Sequence, residues 1–490
     1  MSRAGATMGR TFDALRNYNY RLYFFGQIVS VSGTWMQSVA QAWLVLRLTG
    51  SGVDLGAVTA VQFTPMLIAG PMGGVIADRV DKRRLLVGTQ TAAGLLALAL
   101  GLLTATGAVR LWMIFALAFG LGCVNVVDMP TRQAFVNEMV GQERLANAVT
   151  LNSVVMNSAR VVGPAVAGVL IATVGIAICF LINAGSYLAV IAGLMAMRRS
   201  ELSPAPTTGR RRGQLREGLR YVWSTPNLRT PLLMMAVIGL LAYNFNVTLP
   251  LMAKYTFHAG AGAFGAMSSF MGGGAVIGGL ITASRGQPTS RRLVGVAALF
   301  GGMILVCAAM PGFAVELIAL AIMGAFSIAF IATANTTLQL RSAPEMRGRV
   351  MALYSVAFLG SAPIGGPVVG WVGQVVGPRA ALALGGVATL VAAAVAAPSL
   401  LGGDSVLSLA RRRRVRAAGA GFDDADTLRL GDGPATAGTE LGVGDAVAAE
   451  VMTGEGADAE PDGGTGAADE VGAVGGGGGL MEASGRRRPG

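Results

Sequence analysis

The sequence predicts an all-α polytopic membrane protein whose twelve transmembrane helices form two pseudo-symmetric six-helix bundles. Three observations carry that expectation. Apolar runs long enough to cross a bilayer recur as far as residue 401, basic residues collect in alternate connections between the runs, and a motif of the first half returns in the second. With 53% hydrophobic and 13% charged residues, the chain is too apolar for a water-soluble domain. The runs lack the alternation of lipid-facing strands, which excludes a β-barrel.

Residues 1–19 are polar and basic, without an apolar core or a small-residue cleavage site, so the first span itself is expected to direct insertion. Spans are expected at 20–47, 53–77, 85–107, 111–129, 146–172 and 176–197, forming an N-terminal bundle over 20–197. A cytoplasmic connection over 198–229 carries Arg210, Arg211, Arg212, Arg216 and Arg220. Spans at 230–253, 263–283, 293–310, 314–340, 349–373 and 381–401 form the C-terminal bundle over 230–401.

A basic census tests this register, because one missed span would invert every later loop. Only Arg47, Arg110, Lys254 and Arg379 fall near outer ends, and Arg160 falls inside a span. Both termini are therefore expected in the cytoplasm, and the membrane is expected to be the plasma (inner) membrane. The net charge of +12 lies mostly between apolar runs, so it reads as topology and contact with lipid rather than nucleic-acid binding. From 402 to 490 the composition shifts to Gly, Ala, Asp and Glu, and disorder is expected. Arg411–Arg414 and Arg416 read first as a stop-transfer and orientation signal, with anionic headgroup binding as the alternative. Cys123, Cys179 and Cys307 all fall in apolar runs, which argues for packing rather than disulfides or metal ligands.

The stretch from Gly73 to Arg84 is a short charged turn between two apolar spans, and so an antiparallel hairpin. A weaker copy, Gly278–Arg285 followed by Arg291 and Arg292, occupies the same place in the second half but has Ala283-Ser284 where the acid would be. Aligning Gly163-Pro164 on Gly366-Pro367 places Arg144 on Arg347 without a gap. Two parallel six-span repeats suit a transporter that rocks one half against the other.

The hairpin reads Gly74-Val-Ile-Ala-Asp78-Arg79-Val-Asp81-Lys82-Arg83. It resembles the loop signature Gly-x-x-x-Asp-Arg-x-Gly-Arg-Arg of the major facilitator superfamily, with Asp81 in place of the second glycine. The segments 34–40, 48–51 and 128–135 are similar to the branch containing the enterobactin exporter and other secretion-type efflux proteins. The resemblance implies that Gly74, Asp78, Arg79, Asp81, Lys82 and Arg83 form a cytoplasmic gate, with Asp78 facing the positive N-terminal end of span eleven. Asp81 is expected to tolerate a left-handed backbone and to add a second acid. Gly163-Pro164-Ala-Val-Ala-Gly168 resembles the superfamily's antiporter signature, and Gly366-Pro367-Val-Val-Gly370 is its counterpart; both are expected to bend and slide against partners.

Gln27, Ser30, Thr34, Gln37 and Gln41 recur at steps of three and four, so they share one face of span one and are expected to line a cavity. Asn125, Asn244, Asn246, Asn335 and Gln339 fall on spans that enclose the cavity in the superfamily. Arg160 lies deep in span five, where a cation should face a polar interior. Two roles stay open for it, contact with an anionic substrate group or pairing with Asp128. Asp128 is the leading proton-coupling candidate; Asp54 and Glu316 lie near outer ends. His258 falls in an outer connection as a solvated residue.

No Gly-Lys-Ser/Thr phosphate loop is present, which leaves ATP drive unsupported. The expectation is a non-enzymatic secondary active exporter of amphipathic small molecules, a drug or a secreted metabolite such as a siderophore, working as a monomer by proton-coupled antiport. No cofactor or metal is expected, and the proton gradient supplies the energy. An importer of the same fold, and a membrane scaffold acting through its loops and tail, remain open.

Overall fold

The computed structural model describes residues 12–203 and 214–401. The expected N-terminal segment as far as residue 11, Arg210–Arg212, the Arg411–Arg416 cluster and the 402–490 tail lie outside the described residues. Ends of helices are called inner or outer here according to the basic census above.

Among the described residues the regular elements are all helical. The first three spans are α1 (Tyr18–Thr49), α2 (Gly52–Arg79) and α3 (Lys82–Ala105). Their starts follow local chemistry: the side chains of Asn17, Ser51 and Asp81 each accept a backbone N–H of the first turn, from Tyr20, Asp54 and Arg84 respectively. Gly50 closes α1 in the left-handed conformation at φ 65°, so that α2 begins almost at once.

A 63-residue helical stretch, Leu111–Thr173, follows. Gly141, at φ 70° and ψ 179°, divides it into α4 (111–140) and α5 (142–173). The expected connection over 130–145 is therefore helical apart from this one residue. The conformation of Gly141 is essentially closed to residues with a Cβ. Gly141→Ala is accordingly expected to destabilise the protein by about 1–3 kcal/mol, read as a lowered thermal unfolding midpoint in detergent.

The chain continues through α6 (Ile176–Ala196). Within the expected loop 198–229 an amphipathic helix forms at Gln214–Ser224. Next come α7 (Pro226–Thr256), interrupted at 242–244 and ending in a π turn, α8 (Ala261–Ala283), α9 (Ser290–Ala309) and α10 (Phe313–Arg341). Last are α11 (Arg347–Val375), which bends at Gly360-Ser361, and α12 (Pro378–Leu401). Ten stretches among the described residues are long and apolar enough to cross a membrane. Dividing Leu111–Thr173 at Gly141 and adding α1, which is 32 residues long but interrupted by its polar stripe, accounts for the twelve expected spans.

In lipid there is little hydrophobic gain from bringing helices together, so small residues and polar contacts decide which helices touch. A Cβ on Gly73 of α2 would lie 1.9 Å from the Val126 carbonyl oxygen of α4, and one on Gly122 of α4 would lie 2.2 Å from that of Gln62. The close approach in the hairpin motif thus falls on Gly73. In the second half Gly274 and Gly278 of α8 meet the α10 backbone at Ala321 and Ala325 in the same way. Cys179 and Cys307 are packed inside as expected, whereas Cys123 is exposed; all three are free.

Candidate functional site

The outer ends of the two halves are joined backbone to backbone. A Cβ on Gly52 or Gly56 of α2 would lie 2.6 or 2.2 Å from the carbonyl oxygen of Gly370 or Gly366 on α11. On the opposite side, Gly168 of α5 meets Gly262 and Gly265 of α8, and a Cβ on Gly265 would lie 2.6 Å from the Pro164 carbonyl. Hydrogen bonds complete the rim: Ser51 Oγ donates to Gln374 Oε1 (2.9 Å), Tyr255 Oη to the Gly50 carbonyl (2.6 Å) and Lys254 Nζ to the Leu46 carbonyl (2.9 Å).

Both Gly-Pro motifs therefore act as seams. Gly163 and Pro164 lie in uninterrupted helix, where a Cβ on Gly163 would lie 2.6 Å from Trp35 Cβ of α1, and Pro367 is likewise enclosed in helix. The expected bends fall elsewhere, at Gly141 and at Gly360-Ser361. Proline is tolerated here because removing one donor matters little when glycines let a neighbouring backbone approach.

At the inner end the arrangement differs. Asp78 is half-buried and forms no hydrogen bond or ion pair with any described residue. Its basic neighbours bind within their own half: Lys82 Nζ donates to Glu138 Oε1 of α4 (2.6 Å), and Arg83 donates to the Leu194 and Met195 carbonyls at the end of α6 (2.5 and 2.8 Å). Arg79 is exposed. Asp81 is not in the left-handed region, since its φ is −53°; it caps α3, accepting from the Arg84 N–H at 2.8 Å. A cap residue needs an extended backbone and a short acceptor, and Asp satisfies both where glycine would supply no acceptor. The N-terminal end of α11 is engaged by the amphipathic helix instead, where Arg349 pairs with Glu217 at 2.7 Å.

Beneath the closed outer rim lies a cavity of about 210 Å³. Thr34, Trp35, Gln37, Ser38 and Gln41 of α1 face Leu55, Thr59, Gln62 and Phe63 of α2, with Leu121, Tyr187 and Asn246 completing the wall. The polar stripe of α1 thus divides. Thr34, Gln37 and Gln41 line the cavity; Gln41 Nε2 donates to Gln62 Oε1 (3.2 Å), and Gln37 Oε1 accepts from Asn183 (2.6 Å). Gln27 does not line it, being 2% exposed and accepting instead from Arg132.

That arginine belongs to a buried network that the sequence did not single out. Asp128 is 4% exposed. Its Oδ1 accepts from Thr89 Oγ1 (2.6 Å) and Gln90 Nε2 (2.7 Å), and its Oδ2 pairs with Arg132, one turn along α4. The i, i+4 spacing of Asp128 and Arg132 was the available signal. With Arg132 in place, the alternative of pairing Asp128 with Arg160 is not realised.

Arg160 lies on α5 over the ring of Trp35, 5.2 Å from its centroid. It forms no ion pair with a described residue, and its Nε is buried without a hydrogen-bond partner. Asn244 packs into the helix interface, donating to the Leu240 carbonyl (2.7 Å), so its neighbour Asn246 takes the expected place in the cavity wall. Asn125 is half-buried one turn outward of Asp128. Gln339 donates to Asn335 near the inner end of α10, away from the cavity wall. Glu316, in the first turn of α10, is wholly buried with neither carboxyl oxygen hydrogen-bonded. His258 is exposed as expected, at φ 49°. No cluster of potential metal ligands occurs among the described residues.

The cavity is thus lined by α1, α2, α4 and α6 of the first half and by Asn246 of the second, beneath the glycine seams that join the halves. A family model described as transmembrane secretion effector matches residues 9–411. The multidrug efflux pump Tap of Mycolicibacterium fortuitum is 27% identical over 70% of this chain and 86% of its own length. The staphyloferrin A transporter of Staphylococcus aureus is 30% identical over 34% of this chain and 42% of its own length. Among solved structures, a bacterial homologue of the human lysosomal transporter Spinster superposes with a TM-score of 0.65 at 14% identity, covering 79% of this chain and 98% of that one. The last likeness concerns fold alone. The motif in the α2–α3 hairpin, the many apolar helices and the family match agree: this multi-pass membrane protein belongs to the transmembrane secretion effector family of the major facilitator superfamily.

Proposed function

We propose that the protein is a secondary active exporter of amphipathic small molecules in the plasma membrane, moving them outward by alternating access in exchange for protons. The observation that carries this reading is the asymmetry of the two ends: glycine seams join α2 to α11 and α5 to α8 at the outer side, while Asp78 at the inner side has no partner among the described residues. That is the pattern of a cavity loaded from the cytoplasm; the relative named as a multidrug efflux pump supports outward movement, and the one named as a staphyloferrin A transporter supports an organic solute. Both termini are placed in the cytoplasm, and the functional unit is taken as a monomer.

In the alternate state the seams part and Asp78 meets the N-terminal end of α11, displacing the Arg349–Glu217 pair. Asp128 remains the proposed proton carrier, with Glu316 as the alternative because both oxygens of its buried carboxyl lack a hydrogen-bond partner among the described residues.

Energised inverted vesicles, with a panel of labelled amphipathic compounds added outside, test the reading. Uptake that collapses when the proton gradient is dissipated is expected; no gradient-dependent movement of any compound would refute export. In the same vesicles Asp78→Asn is expected to slow uptake about tenfold by weakening a charge–dipole contact worth about 1–2 kcal/mol. Ser284→Ala, at the corresponding place in the second half, is expected to leave it unchanged. Asp128→Asn that keeps full gradient dependence would move coupling away from Asp128.

A further inference from the structure

The α5–α8 contact can be followed residue by residue from mid-membrane to the outer surface. At its inner end a Cβ on Gly272 would lie 2.8 Å from the Arg160 carbonyl; further out Gly265 meets Pro164 and Gly168, and Gly168 meets Gly262. Beyond Gly262 a second cavity opens, about 400 Å³ in volume, lined by Trp43, Arg47, Lys254, Ile171 and Gly262 among others. None of the residues lining it is acidic.

The two sides of this seam carry matching chemistry. Inside, the guanidinium of Arg160 lies over the ring of Trp35, 5.2 Å from its centroid. The N–H groups of a guanidinium suit a carboxylate, sulfonate or phosphate in bidentate fashion, and the Nε of Arg160 is buried without a hydrogen-bond partner. No described residue accepts from its guanidinium, and a cation held at this depth without a counter-ion is costly unless an anion visits it. Outside, Trp43 and Arg47 lie eight and twelve residues further along α1 from Trp35, the tryptophans about 12 Å apart along the helix. Arg47 is exposed and has no partner among the described residues; Lys254 spends one donor on the Leu46 carbonyl.

We infer that the substrate is an amphipathic organic anion, held first at Trp35 and Arg160 and then passed across the glycine seam to a second site at Trp43, Arg47 and Lys254. This rests on the exporter reading and names the substrate class for it. The aromatic ring at each station takes the apolar body, and the cation takes the charged group. Parting of Gly168 from Gly262 and Gly265 opens the way between them.

The test uses the full chain in phosphatidylcholine proteoliposomes under an imposed proton gradient, with three probes sharing a naphthalene body and carrying a carboxylate, a carboxamide or a trimethylammonium group. The carboxylate is expected to move about tenfold faster than the other two, the discrimination of one charge-assisted contact. Arg160→Gln should abolish that preference and Arg160→Lys retain part of it. Arg47→Glu should slow carboxylate transport about tenfold while its binding, read by tryptophan quenching in nanodiscs, changes little.

Preference for the amide or the cation overturns the anion assignment and leaves export standing, whereas movement of no probe removes both. Unchanged preference in Arg160→Gln, or unchanged rate in Arg47→Glu, also overturns it. Adding phosphatidylglycerol separates the two sources of anion: unaltered rates support a solute at the outer site. If the lipid erases the effect of Arg47→Glu, the outer site belongs to a lipid phosphate and the handover is wrong.

Discussion

Replacing Arg132 by alanine is expected to lower stability by about 3–5 kcal/mol, the usual consequence of stripping a buried acid of its cation. Asp128 would keep Thr89 and Gln90 as donors but lose its ion pair, and Gln27 Oε1 would lose its donor at the same stroke. Thermal unfolding in detergent measures the loss. The double variant Asp128→Asn with Arg132→Ala should be destabilised by clearly less than the sum of the two single changes, because the uncompensated charge is then gone. Additive effects would mean that the pair is not coupled. Because the network ties α1 and α3 to α4, its loss should also loosen the inner part of the first half, detectable as faster hydrogen exchange there.

Gly56→Leu should have the largest effect on transport. The Cβ of any residue at this position would lie 2.2 Å from the Gly366 carbonyl oxygen, and backbone on both sides leaves nothing flexible to give way. The outer seam between α2 and α11 then cannot close. A penalty of about 3 kcal/mol on the closed state corresponds to about a hundredfold shift in population, and transport should fall to match. In a background with Cys123, Cys179 and Cys307 replaced by serine, a cysteine at Asn246 reports the shift. Its labelling by an impermeant reagent added outside should rise in Gly56→Leu, because Asn246 lines the cavity that the seam seals. Lowered labelling together with normal transport would show that the seam is not the outer gate.

Much of this architecture was legible in the sequence because bilayer thickness and the placement of arginine leave few alternatives. Each expected span overlaps an observed helix. The failures came where helix length does not follow apolarity: α4 runs on through Glu138, and α5 begins at residue 142 among polar residues, because their inner ends join Tyr20, Leu86 and Val190 in one buried cluster. The helix at Gln214–Ser224 was read as loop since its basic residues were counted as topology, though Leu215, Leu219 and Val222 recur at helical spacing.

The cavity face of α1 was visible from periodicity, but periodicity cannot say how deep each residue sits. Gln27 and Gln37 share a stripe, yet one meets Arg132 and the other Asn183. The glycines were legible as motifs. Which backbone each one meets is a property of the packed pair and has no trace in either segment alone.

The connection between the halves carries a further consequence. Ser203 is tied to the first half, its N–H donating to the Glu138 carbonyl at 3.0 Å. The helix that begins at Gln214 is fastened to the second half, through Glu217 on Arg349 and through Tyr221 Oη, which accepts from the Ala343 N–H at 3.2 Å. Between these two anchors lie residues 204–213, and the Cα–Cα steps from Ser203 to Gln214 reach no further than about 40 Å. The connection thus works as a tether of fixed reach, and shortening it by a few residues should limit how widely the inner mouth can gape before it affects anything else.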